Sequence, residues 1–276
     1  MWAFLLIVIL ILTIGVYFRM PFSSLESDFY KLVTSQVSNI EASVEMFTSA
    51  EIKRLPFPVK KHIETCGFIG KPKMSYVKAY YENVDFLMSA DKPYTKINYT
   101  QYTFAQKPAR LAFIDTSMFG IPFQGLDSYT DGKGGMKGVL AKTLTLFDET
   151  GPEMNTACLA NILSECLFVP SIALQDYITW EYVDETHAKA TISYYGISAS
   201  GLFAFSDNGE LSSFTTNDRW AVETDGRKTL VPWSLLFGNY EEKNGIRQAT
   251  SYKAVWHYAK GDSVYFDSKN PIIEYL

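Results

Sequence analysis

Cysteine, histidine and positive charge are all scarce in this chain of 276 residues. Its three cysteines cannot all pair, and the last two, Cys158 and Cys166, would lie roughly 12 Å apart on one helix, too far for a disulfide. We expect buried thiols, which leave the cellular compartment undetermined. The three histidines show no spacing typical of a zinc site, so no metal is expected. The formal net charge of −5 argues against a nucleic-acid partner, because neutralising phosphates requires a basic face.

Motifs of catalysis and cofactor binding are also missing. The glycine-rich run at 131–136 lacks the Gly-Lys-Ser/Thr ending and the following helix of a phosphate-binding loop, and it is interpreted as a turn between strands. Residues 198–201 lack the G-x-S-x-G pattern of a nucleophile elbow and are also interpreted as a turn. We therefore expect no cofactor and assign no catalytic residue from motifs.

One uninterrupted apolar run opens the chain, with no charged side chain from Trp2 to Phe18. As a helix it would rise roughly 25 Å, which is just enough to span the hydrocarbon core of a bilayer. A cleaved secretory signal is the alternative, but a basic start and an A-x-A cleavage pattern are both absent. We interpret residues 1–19 as a transmembrane anchor. The expected protein is single-pass, in the inner membrane if the host is bacterial, with the side of the remaining domain undetermined.

The next segment, residues 20–70, has helical periodicity and is interpreted as a helical stalk with linker helices. An apolar stripe over 24–46 predicts a helix that is either a stalk or a helix lying on the domain. A second helix is predicted to start near Thr48, to be interrupted at Pro56 and Pro58, and to stop at Gly67.

After residue 70 the pattern changes to short aromatic and β-branched runs separated by turns. One helix interrupts them, starting at Pro152 and ending before Pro170, so that it covers about 152–168. Turns at 207–209 and 260–262 indicate hairpins. Residues 71–276 are therefore predicted to form an α+β, mainly antiparallel β domain with one interior helix and strands over 74–81, 99–104, 110–113, 124–129, 138–146, 179–183, 188–195, 201–206, 211–217, 251–258, 263–266 and 272–276.

A few side chains stand out as candidates for a site. Glu165 lies in the most apolar helix of the domain, where a charge is costly unless it is paired or faces a cavity. Its alternatives are an exposed helix face or a salt bridge with Arg219 or Arg247. Asp184 begins a turn, which Asp also does for local hydrogen bonding. Four tryptophans in the C-terminal half either fill the core or line an apolar pocket. The candidate ligand-binding residues are thus Glu165, Trp180, Asp184, Arg219, Trp220, Trp233 and Trp256.

Spaced residues over 55–276 give the chain a resemblance to a known family. They are Leu55-Pro56-x-Pro58-Val59, the segment 123–131, Leu163-Ser164-Glu165 with Pro170, Trp180-Glu181-x-x-Asp184, and Ala254-Val255-Trp256-His257 through Tyr265. The sequence resembles a bacterial family of unknown function with an N-terminal membrane segment. That resemblance implies no activity. It implies a strongly curved meander sheet, a half-barrel with helices against its concave side, similar to the periplasmic lipoprotein carriers (LolA-like).

The chain departs from that family near the start of the interior helix. An Arg-Tyr pair is expected there, and this sequence has Cys158-Leu159-Ala160-Asn161-Ile162 instead. If that Arg pairs with the helix Glu in the family, Glu165 is here either exposed or served by another cation.

Three functional hypotheses follow. The first is non-catalytic binding of an apolar or lipid-like ligand in an aromatic-lined cavity under the interior helix of a membrane-anchored domain. The second is a membrane-tethered scaffold for a partner protein, which would require an exposed apolar patch. The third is a hydrolase-like enzyme that uses Glu165 and Asp184, with His187 or His257, and it requires both carboxylates to converge in one cleft.

Overall fold

The computed structural model describes residues 2–40, 44–88, 93–222 and 227–276. Its first helix, α1 (Trp2–Arg19), has no buried residue, and by length and composition it is long and apolar enough to cross a membrane. The other helices are α2 (Ser24–Ser38), α3 (Ser49–Ile52), α4 (Phe57–Thr65), α5 (Pro152–Ser164) and α6 (Pro170–Ala173).

The helix predicted over 24–46 is shorter than expected. Ser23 caps its start by accepting a hydrogen bond from the backbone N–H of Glu26, but α2 ends at Ser38 with Asn39 as its C-cap. Met46 pairs instead with Pro72 in an isolated β-bridge. Residues 41–43 of this prediction lie outside the described residues. The second predicted helix is present as α3 and α4, with Thr48 forming a capping box at the start of α3.

The strands form one large antiparallel sheet, as predicted. The strand order is β6-β5-β4-β3-β2-β1-β15-β14-β13-β10-β9-β8-β7, β16 adds to β1, and β11 and β12 form a separate ribbon. The strands are β1 (Tyr76–Phe86), β2 (Thr95–Phe104), β3 (Ala109–Met118), β4 (Ile121–Thr130), β5 (Lys133–Leu140), β6 (Leu144–Thr150), β7 (Ile178–Asp184), β8 (His187–Tyr194), β9 (Ile197–Phe205), β10 (Leu211–Thr216), β11 (Trp220–Val222), β12 (Lys228–Leu230), β13 (Trp233–Lys243), β14 (Ile246–Tyr258), β15 (Gly261–Lys269) and β16 (Ile272–Tyr275).

The sheet curves strongly around α5. This helix contacts both β5 and β9, which are nine positions apart in the strand order. Nine strand spacings in a flat sheet would cover roughly 43 Å, far more than the diameter of one helix, about 10 to 12 Å. The turns beside these strands also meet, because a Cβ placed on Gly132 would lie 2.6 Å from the Cβ of Tyr195. The expected half-barrel is confirmed, and the sheet is not closed: in the described part of the chain, the edge strands β6 and β7 do not pair with each other.

Each face of the sheet has its own core. On the concave face, α5 buries Leu159, Ile162 and Leu163 in a large cluster that also includes side chains of α3 and α4. On the convex face, Phe29 of α2 stacks on Phe113 of β3 with ring centroids 5.5 Å apart. Leu25 and Val33 belong to the same smaller cluster. Of the two arrangements considered for α2, the helix therefore lies on the domain.

Three predicted local features need correction. Within 131–136 only Asp131 and Gly132 have turn geometry, and β5 starts at Lys133. The strand predicted over 138–146 is broken into β5 and β6, because Ala141 and Lys142 have positive φ angles. Residues 198–201 belong to β9, where Gly201 lies under a ring: a Cβ there would be 2.2 Å from Phe214.

Candidate functional site

A cavity of about 530 Å³ lies between α5 and the concave face of the sheet. Its volume falls within the range of pockets for small ligands, roughly 300 to 1,000 Å³. Large apolar and aromatic side chains supply much of the wall, among them Phe86, Met136, Met154, Phe168, Trp220, Trp233, Trp256 and Phe266. The curvature of the sheet thus forms an interior space that α5 fills only in part.

Strand alternation places four polar side chains on this concave face. Gln101 and Thr103 of β2, Arg110 of β3 and Asp127 of β4 all point the same way, because side chains two residues apart on a strand share a face. Glu165, the C-cap of α5, points toward this group. We call Gln101, Thr103, Arg110, Asp127 and Glu165 the polar cluster.

Both carboxylate oxygens of Glu165 are occupied. Oε1 accepts a hydrogen bond from Nε of Arg110 at 2.9 Å. Oε2 accepts bonds from Nε2 of Gln101 at 2.8 Å and from Oγ1 of Thr103 at 2.9 Å. A buried carboxylate is tolerated when it is paired and hydrogen-bonded, so this arrangement accounts for the charge in an apolar helix.

Arg110 is therefore the cation that serves Glu165, which is buried and not exposed. Neither partner considered from the sequence pairs with it: Arg247 bonds Glu210, and Arg219 lies against tryptophan rings. Arg110 also donates from Nη2 to Tyr99 Oη at 2.8 Å and to Gln101 Oε1 at 3.0 Å. Its Nη1 lies 4.0 Å from Oδ2 of Asp127. Burial raises the pKa of Asp127, and the positive charges of Arg110 and Arg219 oppose that rise.

Arg219 lies over two of the cavity's aromatic rings. The guanidinium carbon is 4.4 Å from the ring centre of Trp233 and 5.1 Å from that of Trp256. Both Nη1 of Arg219, at 3.3 Å, and Nε1 of Trp233, at 3.1 Å, donate to the hydroxyl of Tyr265. The Nε of Arg219 is buried and has no hydrogen-bond partner among the described residues. We call Arg219, Trp233, Trp256 and Tyr265 the arginine–tryptophan corner.

The structure brings five of the seven candidate residues together, since Glu165, Arg219, Trp220, Trp233 and Trp256 all line the cavity. Trp180 and Asp184 are not among its lining residues. Trp180 packs against Phe203, 5.1 Å between ring centres, and donates from Nε1 to the carbonyl of Ala173.

Asp184 is the exposed last residue of β7, and its Oδ1 lies 2.9 Å from Nδ1 of His187. Its backbone bond from Thr186 and its contact with His187 lower the pKa of its carboxyl. His257 bonds Ser234 and Asp262 and does not line the cavity either. The convergence of Glu165 and Asp184 that the hydrolase hypothesis requires is therefore not found in the described part of the cavity wall.

The thiols are poor nucleophiles. All three cysteines are free and buried. Burial raises the pKa of Cys66 and of Cys158 to about 12, so that the reactive thiolate is scarce near neutral pH. Among the described residues, no group of three or more His, Cys, Asp or Glu side chains is placed to hold a metal ion.

Sequence reasoning missed Gln101, Thr103, Arg110 and Asp127. A signal was available, because these polar residues occupy positions in phase with apolar side chains of the same strands. Gln101 lies on the same face of β2 as Tyr99 and Thr103, and Arg110 lies on the same face of β3 as Ala112 and Ile114. A polar side chain in phase with the buried face of a strand indicates an interior polar site.

Residues 45–268 match the Family of unknown function (DUF6544). The chain belongs to this family. No curated protein matches it.

Among solved structures, the chain is similar to a LolA superfamily protein from Nitrosomonas europaea, with 10% identity, a TM-score of 0.38, and coverage of 79% of this chain and 94% of that one. It is also similar to a putative outer membrane lipoprotein-sorting protein domain from Vibrio parahaemolyticus, with 10% identity, a TM-score of 0.36, and coverage of 73% and 84%. A DUF1329 family protein from Desulfovibrio piger matches with 11% identity, a TM-score of 0.32, and coverage of 84% and 94%. The resemblance to a family of unknown function is confirmed by the family match.

Proposed function

We propose that this family member is a membrane-anchored, non-catalytic domain that binds an apolar or lipid-like molecule in the cavity between α5 and the sheet. The observation that carries the proposal is an interior cavity of about 530 Å³ with an aromatic wall, whose buried carboxylate, Glu165, is fully engaged by structural partners. Such a wall favours hydrocarbon, and the three hydrogen bonds that Glu165 accepts from Arg110, Gln101 and Thr103 give its carboxylate a structural role.

Burial of a hydrocarbon chain in this cavity would give binding affinity without any catalytic group. Burying a hydrocarbon chain contributes about 0.8 kcal/mol per methylene, so about ten methylenes contribute roughly 8 kcal/mol before the costs of association. A net binding free energy of about 8 kcal/mol corresponds to a dissociation constant of about 1 μM, so the costs of association make a ten-methylene chain bind more weakly than that, and a longer chain is needed for micromolar affinity.

In this proposal residues 1–19 are an uncleaved anchor, residues 20–70 connect it to the sheet, and residues 71–276 carry the cavity. The described side chains of α1 are all unburied, as expected of a helix whose partner is lipid. Lys142, in the β5–β6 turn, donates from Nζ to the carbonyls of Met20 and Phe22 just after α1.

Exposed apolar side chains surround this attachment. Phe119 is fully exposed at the β3–β4 turn, and Ile121 and Leu144 are exposed beside it. The two turns are adjacent, because the N–H of Ala141 donates to the carbonyl of Pro122. An apolar surface beside an apolar helix supports attachment at a lipid surface. The intact mass of the protein from a membrane fraction tests this point: a chain that begins after residue 19 would contradict the uncleaved anchor.

Native mass spectrometry with lipid extraction tests the binding. The sample is the chain lacking residues 2–19, which removes no buried side chain. We expect co-purified lipid, or stoichiometric uptake of added fatty acid or phospholipid. Protein that emerges empty and ignores both would contradict the proposal and favour the scaffold hypothesis.

A matched pair of variants locates the ligand. Ala254→Trp places an indole in the cavity wall, whereas Ala50→Trp adds the same group on the exposed surface of α3. We expect Ala254→Trp to lose at least ~10-fold in affinity and Ala50→Trp to bind as the wild type does. Circular dichroism checks that both variants fold. Equal binding by two folded variants would place the ligand outside the cavity.

A further inference from the structure

The two arginines that line the cavity differ in how their donors are used. Arg110 donates to Glu165, Tyr99 and Gln101, which occupy both its Nε and its Nη2. Arg219 donates from Nη1 to Tyr265, and its buried Nε has no partner among the described residues. A buried donor without an acceptor costs free energy, so the corner retains unused capacity for a hydrogen-bond acceptor.

The rings around Arg219 direct where that acceptor can bind. Trp233 and Trp256 lie within 5.1 Å of the guanidinium carbon, in the range of cation–π contact. Guanidinium N–H groups point outward in the plane of the group, so stacking leaves its donor edge available. A planar donor edge matches the paired oxygens of a carboxylate or a phosphate.

The charges on the cavity wall favour an anion at this corner. The described acids that line the cavity are Glu165 and Asp127. Glu165 bonds Arg110, and Asp127 lies 4.0 Å from Arg110. No described carboxylate lies within 4.0 Å of Arg219 in an ion pair. Lys260, exposed and also part of the cavity wall, adds a second positive charge.

We propose that the ligand is an anionic amphiphile whose carboxylate or phosphate end is held by Arg219 at the arginine–tryptophan corner while its hydrocarbon chain lies along the aromatic wall. This rests on the proposed function and narrows it from apolar molecules in general to a hydrocarbon chain with one oxyanion end. Arg219 is the specificity-determining residue.

Two matched pairs of single-chain probes test this proposal: oleate against oleyl alcohol, and oleoyl lysophosphatidate against monooleoylglycerol. Within each pair the chains are the same and only the anionic group differs. Affinities are measured at about pH 8, where a carboxylate is ionised. The protein is again the chain lacking residues 2–19. We expect the wild type to bind the anionic member of at least one pair ~10-fold or more tightly, the usual size of a charge-assisted hydrogen bond. The pair that shows the preference distinguishes a carboxylate from a phosphate end.

Variants connect that preference to Arg219. In Arg219→Met we expect the preference for the anion to disappear while binding of the neutral probe remains, and this retained binding also shows that the variant is folded. Arg247→Met is the control, because Arg247 pairs with Glu210 and does not line the cavity. It should keep the wild-type preference.

The outcomes separate the two proposals. Equal affinity for charged and neutral probes in the wild type, or an unchanged preference in Arg219→Met, would overturn the anionic ligand while leaving apolar binding intact. If none of the four probes binds the wild type, the proposed function itself fails.

Discussion

Arg110 and Glu165 show how the protein keeps a charged pair inside its apolar interior. Each side chain is only 10% exposed, and the partners are 55 residues apart in the chain. The family pattern suggested a cation on the interior helix, where this chain has Cys158 and its neighbours. The sheet supplies the cation instead, from β3. The position of Glu165 could be predicted from local sequence, but its partner could not, because that contact depends on how β3 faces the end of α5.

Replacing Arg110 with Met should destabilise the protein by about 3 to 5 kcal/mol, because Glu165 would stay buried without its cation. The double variant Arg110→Met/Glu165→Gln should recover part of the loss, since the uncompensated charge is gone. Urea unfolding of the wild type, both single variants and the double variant gives the coupling free energy. Strictly additive losses would contradict the pairing.

At the scale of secondary-structure elements, a glycine lets the interior helix α5 pack closely against the sheet. Gly134 of β5 lies beneath α5, and a Cβ there would be 2.7 Å from the carbonyl oxygen of Met154 and 2.9 Å from Sγ of Cys158. Its backbone N–H also donates to Oδ1 of Asn155 at 2.7 Å. The glycine-rich run at 131–136 therefore serves close approach of helix and sheet in addition to the turn.

Gly134→Ala should destabilise the protein by about 1 to 3 kcal/mol, because a methyl group would force α5 away from β5. The adjacent Gly135→Ala is the control, since its added Cβ would meet nothing closer than 3.5 Å. It should change the free energy of unfolding by less than about 1 kcal/mol. Thermal or urea unfolding checks both. Equal losses from the two substitutions would show that helix contact is not the cause.

Helices and strands with a clear hydrophobic periodicity or a flanking turn signal could be predicted from the sequence. Strands that form only because neighbouring strands pair with them could not. Helix α5 and the two hairpins carry local signals and are predicted, although α5 ends at Ser164 and not near 168, and the second hairpin turns at 259–260 because β15 starts at Gly261. Strand β13 (Trp233–Lys243) was missed, because half-exposed side chains and Gly238 hide its alternation. It is a strand because it pairs with both β10 and β14. Tertiary pairing here outweighs local preference.

At the scale of the whole molecule, His62 joins the N-terminal helices to the sheet. Its ring is buried on α4, and Nδ1 donates to the carbonyl of Gly209, at 3.0 Å, in the β9–β10 turn. Burial lowers the pKa of this imidazole to about 4, despite the opposing hydrogen bonds. The native state thus holds His62 neutral at pH values where the unfolded chain, with a pKa of 6.5, binds a proton.

Stability should therefore fall as the pH falls from about 6.5 to about 4, by roughly 3 kcal/mol from this residue alone. The folded-state pKa is the lower one, so the contribution is present above pH 6.5 and is lost toward pH 4. His62→Gln keeps a donor for the Gly209 carbonyl but does not titrate. Urea unfolding over this range should show a shallower pH dependence for His62→Gln than for the wild type. Parallel pH curves would show that His62 does not control this loss.

The hydrogen bonds from Lys142 to the carbonyls of Met20 and Phe22, just after α1, keep the domain close to the end of that helix. Four residues, 20–23, separate α1 from α2, and a fully extended segment of that length reaches only about 14 Å. With α1 retained in a bilayer, the cavity stays within one domain's length of the membrane from which the helix emerges. Under the proposed function the domain would therefore exchange its ligand at that surface, and free diffusion between two membranes would require cleavage of the chain after α1.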